Sequence, residues 1–221
     1  MNILAIETSS ECCSAALLVD NSCISKIQHA PRQQTQLLLP MIEALLLESG
    51  MVLAQMDGIA YSAGPGAFTG VRLGAAAAQG LALGLDLPVV PVSSLQTLAR
   101  GVWRQHQQER IVIVNDARMQ EIYAAAFIVQ NAVFAPVVAD VLLKPEALTL
   151  PEGRWFLAGN GLIYRTQLTV EDCGTDADIM PAAEDVAQLA LPQFKQGRGL
   201  DPAAALPVYL RHSVWKKLPG R

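Results

Sequence analysis

Short runs of apolar residues open the chain, and a longer period replaces them near residue 35. The first pattern predicts an antiparallel meander of three strands, at 2–7, 12–19 and 23–28. From 35 to 49 apolar residues recur at helical spacing, which predicts a helix that Pro40 kinks and Gly50 ends. Its main apolar face comprises Leu37, Leu38, Met41, Ile42 and Leu45, whereas Leu39 and Leu46 lie off that face. This helix is therefore apolar on more than one side.

Strands and helices alternate in the rest of the first half. The pattern there predicts strands at 57–62 and 89–92 and helices at 68–85 and 93–106, the last capped by Ser93 or Ser94. A similar series restarts after residue 108, with strands at 111–115, 121–130, 132–143 and 155–159 and a helix at 184–196. We therefore predict an α/β fold whose two lobes, 1–108 and 109–221, repeat a strand-strand-strand-helix-strand-helix-strand-helix unit. Two such lobes around a cleft are the layout of the actin-like ATPase (ribonuclease H-like) fold.

The stretch 62–84 is a glycine-rich loop that leads into a helix of small residues. Gly64, Gly66 and Gly70 surround a proline, so the backbone can come close to a ligand or to another backbone segment. Thr69 is expected to cap the helix. Amides at such a helix N-terminus suit a phosphate or a carboxylate, but the segment lacks the P-loop ending and the dinucleotide pattern. An anion site and a tight strand-to-helix turn are both open interpretations.

Small residues also form a row along this helix. Gly70, Gly74 and Ala78 recur every four residues, so a neighbouring helix could approach closely. Packing within the chain and a subunit interface both explain the row. A membrane span does not, because Arg72 and Gln79 interrupt the stretch and no run of about 18 uncharged apolar residues remains.

Composition favours a protein partner over nucleic acid. Of 221 residues 52% are hydrophobic and 16% charged, which is enough for a large core and leaves apolar surface to spare. The net charge of −4 argues against a dedicated nucleic-acid binder. The four cysteines fit no metal spacing, and the N-terminus carries no export signal. We expect a cytoplasmic protein with reduced thiols and no membrane contact.

Four groups of residues together resemble one known family. They are Ile6-Glu7-Thr8-Ser9, the glycine loop 64–74, Asp116-Ala117-Arg118 with Glu121 and Tyr123, and the tail from Pro207-Val208-Tyr209-Leu210-Arg211 to Trp215-Lys216-Lys217. Along the whole chain these motifs closely resemble the bacterial TsaB family, also called YeaZ. The resemblance implies the two-lobed fold and a role in making the threonylcarbamoyl group on the adenosine beside the anticodon of tRNAs that read ANN codons. It also implies a non-catalytic partner of TsaD, which holds the catalytic site, with TsaE as an ATPase companion.

The residues themselves give little support for chemistry in this chain. His29, His106 and His212 are far apart in sequence, so a helical histidine pair for a metal is excluded, and we predict no metal site and no catalytic residue. The alternative is a self-sufficient actin-like ATP-binding enzyme, which needs carboxylates between two phosphate-binding turns. The nucleotide-binding candidates for that alternative are Glu7, Thr8, Gly64, Gly66 and Asp116. We expect no cofactor of the chain's own, with ATP or ADP at a partner interface as the remaining candidate.

The turn after Asp116 does not favour the enzyme alternative. Asp116 is followed by Ala117-Arg118 and not by a glycine-bearing turn. The side chains of Ala117 and Arg118 would crowd a phosphate that approached Asp116. An ion pair between Arg118 and Glu121 would give this turn a structural role instead.

The apolar helices and the basic tail supply the binding candidates. The partner-binding candidates are Leu38, Leu39, Met41, Leu45, Leu46, Arg72, Gly74 and Ala78, facing a TsaD-like subunit or a second copy of the chain. Leu45→Asp or Gly74→Leu is predicted to abolish pairing and leave the monomer folded. In the tail, Arg211, Lys216 and Lys217 are candidates for contact with tRNA phosphates. The alternative is a C-terminal strap that packs Tyr209 and Trp215 on the body, so tRNA would be an indirect partner.

Overall fold

Two five-stranded sheets build the protein. The computed structural model describes residues 1–20 and 22–211. The strands are β1 Asn2–Glu7, β2 Cys12–Val19, β3 Ser22–His29, β4 Gly58–Gly64, β5 Val89–Ser93, β6 Arg110–Asp116, β7 Ile122–Gln130, β8 Val133–Leu143, β9 Trp155–Ala158 and β10 Asp172–Asp176. The α-helices are α1 Gln34–Ser49, α2 Phe68–Leu85, α3 Ser94–His106 and α4 Ala183–Lys195.

The two sheets share one topology. Their strand orders are β3-β2-β1-β4-β5 and β8-β7-β6-β9-β10, so each meander is followed by two strands on the other side of its first strand. In both sheets the meander is antiparallel and the added strands are parallel to their neighbours. The predicted two-lobed α/β fold is confirmed.

The second lobe differs in detail from the predicted repeat. Short 3₁₀ segments, Pro145–Ala147 and Asn160–Gln167, stand where the first lobe has α1 and α2. The sequence analysis also missed β10, which pairs with β9.

Helices cover both sheets, but α3 and α4 each pack on the sheet of the other lobe. α1 and α2 cover one face of the first sheet through a common core with β1, β2 and β4. α4 follows the second sheet in sequence but packs on the other face of the first sheet. Conversely, α3 packs on the second sheet. The predicted boundary near residue 108 therefore separates the sheets but not the helices that cover them.

Local signals explain how the helices begin and end. Gly50 follows α1 at φ +67°, a left-handed conformation that glycine adopts without strain. Ser93 caps α3, because its hydroxyl accepts a hydrogen bond from the Gln96 amide at 3.2 Å. The expectation that Thr69 caps α2 is wrong: Ala67 is the N-cap and Thr69 lies in the first turn. Within the described residues, none of the helices combines the length and apolarity that crossing a membrane requires.

Candidate partner-binding surface and inter-lobe cleft

The turn after β1 closes the glycine loop. The Thr8 hydroxyl donates to the Gly70 carbonyl at 2.8 Å, and the Ala67 amide donates to the Ser9 carbonyl at 2.8 Å. A Cβ at Gly66 or Gly70 would overlap the backbone of this turn. The glycines are thus needed because two backbone segments touch. Since the turn fills the space beside the start of α2, the tight-turn interpretation fits better than the anion site.

Glu7 lies beneath this turn and does not face the cleft. Its side chain is 0% exposed, and its Oε1 accepts the Ser9 amide at 2.5 Å. Its Oε2 and the Ser62 hydroxyl are buried without a hydrogen bond of normal geometry among the described residues. Burial raises the pKa of the Glu7 carboxyl, and the Ser62 and Ser9 groups offset that rise in part. The Glu7 carboxyl is therefore enclosed by the protein's own side chains and backbone.

Asp116 is held by its own hairpin. Its carboxylate accepts from the Arg118 amide at 2.8 Å and from the Tyr164 hydroxyl at 3.3 Å, and it pairs with the Arg118 guanidinium at 3.1 Å. The expected ion pair between Arg118 and Glu121 is wrong, because Glu121 pairs with Arg211 at 2.5 Å. The Glu7 carboxyl is thus buried, and the Asp116 carboxylate is bound by Arg118 and Tyr164.

The C-terminal strap, defined as residues 205–211, joins the two lobes. On the first lobe the Tyr61 hydroxyl donates to the Leu206 carbonyl at 3.1 Å and the Val208 amide donates to the Ala63 carbonyl at 2.7 Å. On the second lobe Arg211 donates to the Ala117 carbonyl at 3.1 Å. A cavity of about 420 Å³ lies between the strap and the glycine loop.

One of the candidate tRNA contacts, Arg211, belongs to the strap. Arg211 forms an ion pair with Glu121 and donates a hydrogen bond to the Ala117 carbonyl. Lys216 and Lys217 lie outside the described residues, as does Trp215.

A second contact between the lobes lies at the start of α3. The Ser93 hydroxyl donates to the Asp140 carboxylate of β8 at 2.6 Å, and the Ser94 hydroxyl donates to the Pro65 carbonyl. Burial raises the pKa of Asp140, and the Ser93 hydrogen bond offsets that rise in part. The cleft side of the glycine loop is thus in contact with the chain's own side chains.

The candidate partner-binding residues divide into a buried and an exposed group. Five of them are in the core of the first lobe: Leu38, Met41, Leu45, Gly74 and Ala78. Leu46 is half-buried, whereas Leu39 and Arg72 are exposed. The buried residues hold α1 and α2 on the sheet, so only the exposed ones are available to a partner.

The most exposed apolar residues of these helices are not among the candidates predicted from the sequence. Leu47 of α1 is 85% exposed, and Leu83 and Phe68 of α2 are 70% and 58% exposed. Leu47 follows Leu39 at a spacing of about two helical turns, a regularity that places both leucines on one side of α1. We use the name exposed helix face for eleven of the exposed residues of α1 and α2: Gln36, Leu39, Pro40, Glu43, Ala44 and Leu47, with Thr69, Arg72, Ala76, Gly80 and Leu83.

The two substitutions expected to leave the monomer folded need correction. Leu45 is 1% exposed in the core, so an aspartate there would bury an unpaired charge. A Cβ at Gly74 would lie 2.8 Å from the Thr8 hydroxyl oxygen, so a leucine would force the turn away from α2. Both changes are therefore expected to destabilise the monomer.

Comparison with known proteins gives consistent matches. A protein-family model described as "TsaD: tRNA N6-adenosine threonylcarbamoyltransferase" matches residues 20–190. The "tRNA threonylcarbamoyladenosine biosynthesis protein TsaB" of Escherichia coli (strain K12) is 40% identical over 100% of both chains. The protein of the same name from Haemophilus influenzae is 37% identical over 100% of this chain and 98% of its own. The structure "YeaZ from Pseudomonas aeruginosa" superimposes with a TM-score of 0.92 at 39% identity, covering 95% of this chain and 99% of that one.

Proposed function

Because this chain belongs to the TsaB family, also called YeaZ, we propose that it is a non-catalytic subunit in the biosynthesis of threonylcarbamoyladenosine in tRNA. In this proposal it binds and activates a TsaD-like transferase in the cytoplasm, together with a TsaE-like ATPase. The transferase holds the catalytic site, and tRNA reaches this chain only indirectly. A nucleotide at the interface and self-pairing of the chain when it is alone are further parts of the same proposal.

The exposed helix face is the observation that carries the proposal. α1 and α2 lie on the same face of the first sheet, and both present leucines to solvent. Burying one exposed leucine is favourable by about 1.5–3 kcal/mol, so covering Leu39, Leu47 and Leu83 together would contribute substantially to association. Ala76 and Gly80 add little bulk between them, so a partner's helix can approach the backbone of α2.

The arrangement around the glycine loop supports a non-catalytic role. An actin-like ATPase needs carboxylates that reach the metal and the attacking water. Here Glu7 is buried, and the Asp116 carboxylate is bound by Arg118 and Tyr164. These contacts favour the subunit over the self-sufficient ATP-binding enzyme.

Threonylcarbamoyl transfer to tRNA tests the proposal. The assay supplies preformed threonylcarbamoyl-adenylate, the TsaE-like ATPase and ATP to this chain alone, to the TsaD-like subunit alone, and to their mixture. We expect transfer only in the mixture, together with a heterodimer by light scattering. Leu47→Asp should remove both, whereas Val133→Asp, at a 66% exposed position of the second lobe, should remove neither. Transfer by this chain alone would refute the proposal.

A further inference from the structure

The exposed helix face carries only two charges. α1 and α2 together contain three charged residues, Glu43, Glu48 and Arg72. Glu48 is neutralised by Lys26 of β3 at 2.6 Å. Glu43 forms no ion pair with any residue that the structure describes. Among the described residues, an otherwise uncharged face therefore presents one uncompensated anion, Glu43, and one cation, Arg72.

Arg72 is held in place by two aromatic side chains, Phe68 and Tyr209. Its Nε donates to the Tyr209 hydroxyl at 2.6 Å, and its guanidinium carbon lies 3.5 Å from the centre of the Phe68 ring. Within residues 1–20 and 22–211, its two terminal nitrogens donate to no acceptor. A guanidinium fixed in this way loses little side-chain entropy when it binds a carboxylate end-on.

The direction of the helices places the two charges at different levels of the face. β3 and β4 both run parallel to β1, and α1 and α2 each lead from the end of one such strand to the start of another. The helices therefore run in the same direction and begin at the same edge of the sheet. Arg72 is the fifth residue of α2, and Glu43 lies past the middle of α1. The charge pattern thus has a polarity along the helix axes.

We propose that Arg72 and Glu43 select and orient the partner subunit on the exposed helix face. The partner that fits is a helical surface of the TsaD-like subunit that is apolar at its centre, with a carboxylate opposite Arg72 and a basic side chain opposite Glu43. A reversed or shifted partner would leave both charges desolvated and unpaired, which costs affinity. This inference rests on the proposed function and adds the chemistry by which its partner is recognised.

Charge reversal tests the inference on the full-length chain and the TsaD-like subunit from the same organism. Calorimetric titration at low salt should show that Arg72→Glu and Glu43→Lys each weaken binding about tenfold or more, since like charges then meet across the interface. The matched controls are Lys144→Glu and Glu146→Lys, which make the same charge changes at exposed positions of the second lobe. These controls should leave the Kd within about twofold, because their charges lie away from the helix face.

A neutral pair of variants covers the case in which a reversal impairs folding. Arg72→Met and Glu43→Gln keep the size of the side chains, and together they should remove most of the salt dependence of the wild-type Kd. Arg72→Lys keeps the positive charge and should retain the salt dependence of the Kd. If Arg72 acted only by packing against Phe68 and Tyr209, keeping the charge would not preserve this dependence.

The possible failures are distinguishable with Leu47→Asp. If this variant abolishes binding but neither the reversals nor the neutral pair changes the Kd or its salt dependence, the charge inference is refuted and the proposed function stands. If Leu47→Asp also binds normally, the exposed helix face is not the docking surface, and the proposed function loses its main support. If the reversals weaken pairing with a second copy of the chain but leave binding to the TsaD-like subunit unchanged, the assignment to the TsaD-like subunit is likewise overturned.

Discussion

Two leucines of α1 that lie two positions apart should differ in what truncation to alanine changes: stability for Leu45 and partner binding for Leu47. Leu45 is 1% exposed in the core of the first lobe, whereas Leu47 is 85% exposed. Leu45→Ala removes buried methyl groups and leaves a cavity, which costs about 2–5 kcal/mol of unfolding free energy. For a chain of 221 residues this corresponds to a Tm lower by about 5–15 °C. Leu47→Ala should change the unfolding free energy by no more than about 0.5 kcal/mol.

Binding to the TsaD-like subunit should separate the same two variants. Leu47→Ala keeps the fold but removes part of the apolar contact, so its Kd should rise about tenfold or more, as for a truncated interface anchor. Unfolding is followed by circular dichroism in urea and on heating, and binding is measured by calorimetry below the Tm of both variants. If Leu45→Ala is as stable as the wild type, α1 does not pack on the sheet as described. If Leu47→Ala is destabilised like Leu45→Ala, the exposed helix face is not exposed.

Three further predictions concern the interior. Burial raises the pKa of the Glu7 carboxyl, so ionising it in the folded protein costs stability as pH rises above about 4.5. Urea unfolding should therefore show that Glu7→Gln becomes more stable relative to the wild type as pH rises from about 4.5, and a pH-independent difference would contradict this. Gly70→Ala should lower the unfolding free energy by about 1–3 kcal/mol, because its Cβ would overlap the Thr8 carbonyl. Gly80→Ala has open space around its Cβ and should raise the unfolding free energy by about 0.5–1 kcal/mol. Equal effects of the two variants on Tm would contradict this packing. Asp185→Asn should lower the unfolding free energy by about 3 kcal/mol, because Asp185 is 0% exposed and pairs with Arg100 and Arg104 of α3. A decrease in unfolding free energy below about 1 kcal/mol, measured by calorimetry, would contradict a structural role of Asp185.

The bounds of α2 and of the strands in the first meander were predicted accurately from the spacing of residues along the sequence. The range 68–85 predicted for α2 agrees with the structure, and the strands of the first meander differ by a residue or less at each end. The strand β10 was missed because its residues Asp172-Cys173-Gly174-Thr175-Asp176 are mostly polar and show no apolar alternation. It forms a strand because β9 lies beside it and supplies hydrogen-bond partners.

The candidate site was only partly visible in the sequence. Helical spacing identified Leu38 and Leu45 as apolar but did not distinguish a side chain that faces the sheet from one that faces a partner. The sequence suggested Glu7 as a ligand for a nucleotide, since an acid follows the first strand. Its burial depends on the turn Thr8-Ser9-Ser10 folding against a loop 60 residues later, a contact with no local signal.

The amino-acid sequence by itself determined the order of the first nine strands and the main helices, the need for glycine near residue 66, and the family. These properties depend on local periodicity, on backbone freedom and on matching residues, all of which are written along the chain. Only the tertiary structure decided that α3 and α4 exchange sheets, that Arg118 pairs with Asp116 and not Glu121, and that Leu47 is exposed whereas Leu45 is buried. The physical reason is that burial and pairing depend on which distant segments meet, and the same side chain is core or surface according to the neighbour that reaches it.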